Sequence, residues 1–123
     1  MLRKFILALT ATVAIIAPLT AVASPAEASP RSNAIDMAYS YIDTMAFSKA
    51  GLADQLVYEG FSQKTANYAV ENISVSWRKQ AVRMAKSYLS TMAFSCTGLI
   101  DQLVYEKFSR SVATYGANHT NAC

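Results

Sequence analysis

The sequence predicts an all-α protein built from two tandem repeats of about 47 residues, each made of three short helices. Residues 34–69 align with residues 81–116 without a gap, and 22 of these 36 positions are identical. Apolar residues recur at helical spacing in both segments, whereas alternating strand patterns are few and hairpin turn signals are absent. We therefore define repeat 1 as 34–76 and repeat 2 as 77–123, and we expect each repeat to be a helical unit that packs on its neighbour.

Residues 1–28 are predicted to be a secretory signal peptide. A short basic start precedes an apolar run over 5–19, and small-residue cleavage sites end at Ala23 and at Ala28. The alternative is a membrane anchor, but about 15 apolar residues are fewer than the roughly 20 that a spanning helix needs. Neither cysteine follows this run, so we expect a secreted or cell-surface-associated protein that is not lipid-anchored through an N-terminal cysteine. Residues 29–33 are predicted to be a flexible leader, because proline and small polar residues cluster there.

The helices are predicted from apolar faces and from serines that can cap their N-termini. The apolar face of the first helix is formed by Ala34, Ala38, Tyr41 and Met45 in repeat 1, and by Ala81, Ala85, Tyr88 and Met92 in repeat 2. Capping serines precede the second and third helices, at Ser48 and Ser62 and again at Ser95 and Ser109. The second helix of repeat 1 is expected to end near Gly60.

Residues that are identical at equivalent positions are predicted to form the scaffold of each repeat. In repeat 1 these are Tyr41, Phe47, Ser48, Gly51, Leu52, Gln55, Leu56 and Phe61. In repeat 2 they are Tyr88, Phe94, Ser95, Gly98, Leu99, Gln102, Leu103 and Phe108. Trp77 lies between the two sets and is predicted to be a hydrophobic wedge between the repeats.

The outer face of the first helix is where the two repeats differ most in charge. Asp36, Tyr39 and Asp43 of repeat 1 become Arg83, Lys86 and Ser90 in repeat 2, and all of these positions lie opposite the apolar face. Residues 34–76 carry two Lys and five acidic residues, a net charge of −3, whereas residues 77–123 carry six Lys or Arg and two acidic residues, a net charge of +4. One interpretation is free variation of a solvated surface. A second is a partner-binding acidic surface on repeat 1, with candidates Asp36, Tyr39, Asp43 and Asp54, while repeat 2 packs elsewhere or faces the anionic envelope. A third is head-to-tail pairing of two molecules through their opposite charges.

Motifs for catalysis, metal binding or cofactor binding are absent from the sequence. His119 is the only histidine, and we expect it to be solvated in the polar C-terminal tail. A nucleophilic pair of Cys96 and His119 would lack a third group to orient it. The chain has no Gly-rich phosphate loop, nucleophile elbow or HExxH motif, so we predict no enzyme, metal or cofactor.

Cys96 and Cys123 are the only cysteines, and three arrangements of them are open. The favoured one is an intramolecular disulfide, because a small exported domain gains stability from a covalent link and can keep it outside the reducing cytosol. The others are an intermolecular bond through the exposed C-terminus and a pair of free thiols.

The repeated pattern AxxxAxxYxxxxxFSxxGLxxQL, followed by FSxxxAxY, resembles the repeats of the Ltp family of host-cell-surface-exposed lipoproteins. In repeat 1 the pattern is carried by Ala34, Ala38, Tyr41, Phe47, Ser48, Gly51, Leu52, Gln55, Leu56, Phe61, Ser62, Ala66 and Tyr68, and repeat 2 carries the same residue types 47 positions later. The resemblance implies helix-turn-helix-like units displayed outside the membrane. It also implies superinfection exclusion, in which prophage-encoded members stop DNA injection by engaging phage injection machinery such as the tape measure protein. This sequence departs from the family in having no lipobox cysteine.

Three functions follow from these expectations. The first is an exported binding protein that blocks phage DNA entry at the cell envelope. The second is a secreted or wall-associated interaction protein with no role against phage. The third is a DNA-binding regulator, which the acidic first repeat and the signal peptide oppose, so that no nucleic-acid partner is expected.

Overall fold

The computed structural model describes residues 29–123, and these residues form six helices and no strand. In chain order the helices are α1 (Pro30–Thr44), α2 (Lys49–Tyr58), α3 (Gln63–Glu71), α4 (Trp77–Leu89), α5 (Cys96–Tyr105) and α6 (Arg110–Asn118). Helices α1–α3 form repeat 1 and α4–α6 form repeat 2, which confirms the predicted all-α fold with three helices in each repeat. None of the six helices combines the length and the apolar character that crossing a bilayer requires.

A serine caps the N-terminus of every one of these six helices. In each case the serine backbone is extended, and its hydroxyl oxygen accepts a hydrogen bond from the backbone N–H three residues later. The caps are Ser29, Ser48, Ser62, Ser76, Ser95 and Ser109. Each of these bonds satisfies one of the backbone donors that a helix N-terminus leaves unpaired.

The second helix of each repeat ends in the same hydrogen-bonded turn. In repeat 1 the Gly60 N–H donates to the Val57 carbonyl, and the Phe61 N–H reaches back to the Leu56 carbonyl. This is the Schellman arrangement, and it places Gly60 in the left-handed region with φ of 111°. Repeat 2 keeps the turn but has Lys107 at the equivalent position, with φ of 80°. A lysine is costly in this conformation, so a compensating contact is expected there.

Two predictions about the first helix are wrong. Residues 30–33 are not a flexible leader, because Pro30 occupies the first turn of α1 and Ser29 caps it. Proline suits this position, since its fixed φ is helical and its missing N–H would have no partner there. Met45 and Met92 are not core residues and are more than half exposed. Both lie beyond the ends of their helices, at Thr44 and Leu89, where the helical spacing no longer applies.

Each repeat has its own hydrophobic core, and small residues let its helices approach closely. The core of repeat 1 contains Ala34, Ala38, Leu52, Ala53, Leu56, Ala66, Ala69 and Val70. The core of repeat 2 contains Ala81, Ala85, Leu99, Ile100, Leu103, Phe108, Ala113 and Ala117. At Gly116 a Cβ atom would lie 2.8 Å from atoms of Ala81, so α4 and α6 pack with only a glycine between them. The alanine stripes of the first and third helices therefore determine the packing within each unit.

Cys96 and Cys123 form a disulfide whose Cα atoms are 4.8 Å apart. Cys96 is the first residue of α5, directly after the Ser95 cap, and Ala122 packs against the core of repeat 2. The bond therefore holds residues 119–123 against this core. The hydroxyl of Thr120 donates to the Ala117 carbonyl and accepts from the Ala122 N–H, which orders the tail further.

Replacing both Cys96 and Cys123 by Ser should lower the free energy of unfolding by about 3–4 kcal/mol, because the crosslink closes a loop of 27 residues. Urea denaturation of the variant and of the oxidised wild type measures this difference. The wild type under reducing conditions is the control and should unfold at the midpoint of the variant. A loss below about 1 kcal/mol would show that the bond does not constrain the unfolded chain.

Candidate functional site: the repeat interface and the exposed face of α1

The two repeats meet through polar contacts made by the first helix of repeat 2. Gln80 is only 4% exposed, and its side-chain oxygen accepts hydrogen bonds from the Phe47 N–H at 3.1 Å and from Arg83 at 3.2 Å. Arg83 also donates to the Ile42 carbonyl at 3.0 Å. The segment 42–48, which we call the repeat 1 corner, thus contacts α4, which pairs the Phe47 N–H and the Ile42 carbonyl. The sequence alone does not mark Gln80 as an interface residue, because its equivalent in repeat 1 is Asn33 and the position is not part of the repeated pattern.

Ser48 serves both as a helix cap and as an interface residue. It is 1% exposed, and its hydroxyl donates to the Glu106 carbonyl at 2.5 Å while accepting from the Gly51 N–H at 2.9 Å. Its equivalent, Ser95, is exposed and only caps its helix. The same residue type at equivalent positions therefore has one role in repeat 2 and two roles in repeat 1.

Lys107 of repeat 2 forms an ion pair with Asp54 of repeat 1. Both side chains are about half exposed, so the pair adds little to stability by itself. It is also the compensating contact for Lys107, which occupies the left-handed turn position that Gly60 has in repeat 1.

Trp77, the first residue of α4, packs against the core of repeat 1 and lines a crevice with Phe108 and Val112 of repeat 2. The indole therefore contacts both units.

A tyrosine, a glutamine and a glutamate form the same cluster in each repeat. The Tyr41 hydroxyl donates to the Glu59 carboxylate and accepts from the Gln55 amide at 3.2 Å. The equivalent contacts of Tyr88 are with Glu106 and with Gln102, the latter at 3.0 Å. These hydrogen bonds connect the first helix of each repeat to the second. The ring of each tyrosine also packs edge-on against a phenylalanine that precedes the second helix of its repeat, in the pairs Tyr41–Phe47 and Tyr88–Phe94.

The environment of these clusters raises the pKa of both tyrosines. For Tyr41 the main cause is its hydrogen bond to the Glu59 carboxylate, because ionisation of the phenol would place two negative charges together. For Tyr88 burial is the larger cause, and the hydrogen bond to Glu106 adds to it.

The predicted partner-binding residues do not form a single surface. Asp36 and Asp43 are exposed on α1, and within residues 29–123 neither carboxylate takes part in an ion pair. Tyr39 is 37% exposed, and its hydroxyl accepts a hydrogen bond from the Ser74 N–H at 2.7 Å. Asp54 lies apart from them, since it is paired with Lys107 at the repeat interface.

A groove of about 690 Å³ runs along the exposed side of α1. It is lined by Asn33, Asp36, Met37, Ser40, Tyr41, Thr44 and Phe61. The floor is apolar, and Asp36 supplies a carboxylate at the edge. The groove is open to solvent and can receive part of another molecule.

Two tyrosines at equivalent positions of the two repeats are the most exposed aromatic side chains of residues 29–123. Tyr58 is 83% exposed and Tyr105 is 79% exposed, and both line a crevice at the repeat interface together with Gln55 and Lys107. The sequence does not mark these two tyrosines as exposed, because repetition in sequence does not distinguish a core residue from a surface residue.

The C-terminal histidine takes part in a local contact. The ring of His119 lies 4.1 Å from that of Tyr115, and its Nδ1 is 2.8 Å from the Tyr115 carbonyl oxygen. Within residues 29–123 no group of three His, Cys, Asp or Glu side chains could hold a metal ion.

Two capped three-helix units joined by polar contacts define this molecule as a tandem helical-repeat protein with exposed surfaces suited to binding.

The comparisons with known proteins agree with that class. The sequence matches the family described as "Host cell surface-exposed lipoprotein" (Ltp) over residues 31–73 and 76–120, and the chain belongs to this family. It is similar to a solved structure described as "Structure of Ltp, a superinfection exclusion protein from the Streptococcus thermophilus temperate phage TP-J34". The two are 34% identical with a TM-score of 0.71, over 76% of this chain and 98% of that chain. No curated protein matches the sequence.

Replacing Ser48 by Ala should cost about 1 kcal/mol more of the free energy of unfolding than replacing Ser95 by Ala. Both substitutions remove a cap, but only the first leaves the Glu106 carbonyl without its hydrogen bond. Chemical denaturation of the two variants measures the difference. Equal losses would mean that the contact between Ser48 and repeat 2 contributes nothing to stability.

The raised pKa of Tyr88 predicts a loss of stability in alkali. Below about pH 10 the tyrosine is protonated in both states, and its contribution to stability is fully present. Above that pH the unfolded chain loses the proton first, so the stability decreases until the folded pKa is passed. The Tyr88→Phe variant should lose less stability than the wild type above about pH 10 in urea denaturation at stepped pH. Parallel stability curves for the two proteins would contradict this prediction.

Proposed function

We propose that this protein is an exported binding protein that acts in superinfection exclusion by blocking phage DNA injection at the cell envelope. The observation that carries the proposal is the similarity to the superinfection exclusion protein of phage TP-J34, which extends over 98% of that chain and includes both repeats. The family description as host cell surface-exposed supports a location outside the cytosol. The partner in this proposal is a phage protein of the injection machinery, such as the tape measure protein.

Attachment to the surface would rest on contacts with other molecules. The only two cysteines in the sequence are bonded to each other in the disulfide, so neither is available to carry a lipid. We propose that contacts made by its exposed surfaces, and not a lipid on Cys96 or Cys123, hold the protein at the envelope.

The exposed face of α1 is the surface that we assign to the phage partner. Asp36 and Asp43 present carboxylates that are not used in ion pairs within residues 29–123, and repeat 2 has Arg83 and Ser90 at these positions. Such charges steer association and determine which partner is accepted more than they add to affinity. We leave Asp54 out of this surface, because its carboxylate already pairs with Lys107.

A second candidate function is binding to a wall or envelope component without a role against phage. The observation in its favour is the crevice with Tyr58 and Tyr105, because two exposed aromatic side chains beside polar groups are typical of binding sites. Fractionation of cells that express the wild type, compared with Tyr58→Ala/Tyr105→Ala, separates the two functions. Loss of wall association with intact exclusion would assign the crevice to anchoring alone.

The test of the proposed function is a phage challenge of a sensitive host that expresses the protein. Adsorption of the phage should be unchanged, while entry of its DNA and the number of plaques should decrease. Unchanged plaque numbers across a broad set of phages would contradict superinfection exclusion.

Reversing the charges at Asp36 and Asp43, by replacing both with Lys, should reduce exclusion by at least about tenfold in plaque counts. The control is the replacement of Glu71 and Asp101 by Lys, which changes the net charge equally at acids that form ion pairs with Lys49 and Arg110. We expect the control to keep exclusion. Equal losses in both double variants would show that only the total charge matters.

A further inference from the structure

The excess positive charge of repeat 2 is concentrated on α4. This helix has no acidic residue, and its four cations are Arg78, Lys79, Arg83 and Lys86. The other cations of repeat 2, Lys107 and Arg110, are used in ion pairs with Asp54 and Asp101. Within residues 29–123 none of the four cations on α4 forms an ion pair. The positive charge that is available to a partner therefore lies on this one helix.

Three of these cations form a line along the exposed side of α4. Lys79, Arg83 and Lys86 are separated by four and then three residues, so that their side chains lie on the same face of the helix. All three residues are exposed. The rise of an α-helix places Lys79 and Lys86 about 10 Å apart along the axis, with Arg83 between them. We call this set the basic stripe.

The middle cation of the stripe is held in place by the protein. Arg83 donates hydrogen bonds to the Ile42 carbonyl and to the side-chain oxygen of Gln80, so its guanidinium has a defined position. A guanidinium has five N–H donors, and those outside these two bonds remain free for a ligand. Asp43 follows Ile42 in the chain but makes no ion pair with Arg83. Repeat 1 therefore orients the stripe without pairing its charge.

The surroundings of the stripe disfavour a membrane surface as its partner. A helix that lies on a membrane presents large apolar side chains beside its cations. None of the exposed large hydrophobic residues within 29–123 belongs to α4, since they are Tyr39, Met45, Val57, Tyr58, Met92 and Tyr105. The stripe thus offers charge without an apolar anchor, which suits an anionic ligand in water.

Nucleic acid fits the stripe less well than a simpler polyanion does. Proteins that bind single strands stack the bases on exposed aromatic side chains beside their cations. The two aromatic residues of α4 are already engaged, Trp77 with the core of repeat 1 and Tyr88 with Glu106. Proteins that bind a duplex present a larger basic surface, whereas repeat 1 has a net charge of −3. The family is described as host cell surface-exposed, and the polyanions at that location are those of the wall.

We propose that the basic stripe of α4 binds the phosphate groups of an anionic cell-wall polymer, a chain of polyol units linked by phosphodiesters. A flexible polymer of this kind can place phosphates on Lys79, Arg83 and Lys86 in turn, through charge-assisted hydrogen bonds. The crevice with Tyr58 and Tyr105 is a separate surface, because its lysine is already paired with Asp54. The inference deepens the proposed function by naming a contact that holds the protein at the envelope, and it rests on that function only for the location outside the cytosol.

Sedimentation with isolated cell walls tests the ligand. The probes are intact walls and the same walls after treatment with hydrofluoric acid, which cleaves phosphodiesters and leaves the peptidoglycan. We expect the wild type to bind the intact walls at least about tenfold more tightly, with an affinity that decreases steeply as salt is added. Equal binding to both preparations would overturn the proposal. Tighter binding to anionic phospholipid vesicles or to DNA at the same salt concentration would overturn it as well, in favour of a lipid or a nucleic-acid partner.

Removal of two cations tests the stripe itself. Lys79→Gln/Lys86→Gln removes two charges from α4, and the control Lys49→Gln/Lys64→Gln removes the same charge from repeat 1. We expect the first variant to bind intact walls about tenfold more weakly, with the slope of log affinity against log salt reduced by about 1 to 2. The control should bind nearly as well as the wild type, and thermal unfolding should show that both variants are folded. Equal losses in the two variants would overturn the proposal, because only the total charge would then matter.

The stripe inference and the proposed function fail separately. If the wild type does not exclude phage but binds intact walls through Lys79 and Lys86, the proposed function fails and the stripe inference stands. If exclusion is observed while Lys79→Gln/Lys86→Gln binds intact walls as the wild type does, the function stands and the stripe inference fails.

Discussion

The structure depends on satisfying the backbone at the ends of very short helices. In helices of 9 to 15 residues a large share of the backbone groups has no partner inside the helix, because about four N–H groups at the N-terminus and about four carbonyls at the C-terminus make no bond within the helix. Serine caps at all six N-termini and the Schellman turns after α2 and α5 supply many of these partners. The corners between helices are therefore ordered, and ordered corners can act as interfaces.

The repeat 1 corner shows how one set of bonds serves both purposes. Ser48 caps α2 and also binds the Glu106 carbonyl, while the Phe47 N–H and the Ile42 carbonyl are paired by Gln80 and Arg83. Each repeat keeps its own apolar core, so the contact between them is mainly polar, with Trp77 as its principal apolar member. A polar interface of this kind favours a specific partner surface more than it adds stability, because its groups would otherwise bind water.

The two repeats share their scaffold contacts and differ mainly at positions on the surface and at the repeat interface. The tyrosine–glutamine–glutamate cluster and the edge-on tyrosine–phenylalanine pair are present in both repeats with nearly equal geometry. The cation–π contacts of Arg31 with Tyr68 and of Arg78 with Tyr115 repeat as well. The differences lie on the first helix and at the Gly60/Lys107 turn, positions that face either the other repeat or solvent. The disulfide is present in repeat 2 alone, where it holds the tail against the second core.

The sequence by itself determined the all-α class, the two repeats, the capping serines and the family, since helical spacing, caps and self-similarity are local or repeated signals. It did not separate Tyr58 and Tyr105, which are exposed, from the tyrosines that pack, because identity between repeats is the same for both. It also placed Met45 and residues 30–33 incorrectly, since helix ends depend on one cap or one extended residue. Only the tertiary structure decided that Gln80 and Arg83 hold the repeat 1 corner, and that Asp54 belongs to the interface while Asp36 borders an open groove. The physical reason is that these roles come from contacts between residues 33 to 58 positions apart, and no local pattern encodes them.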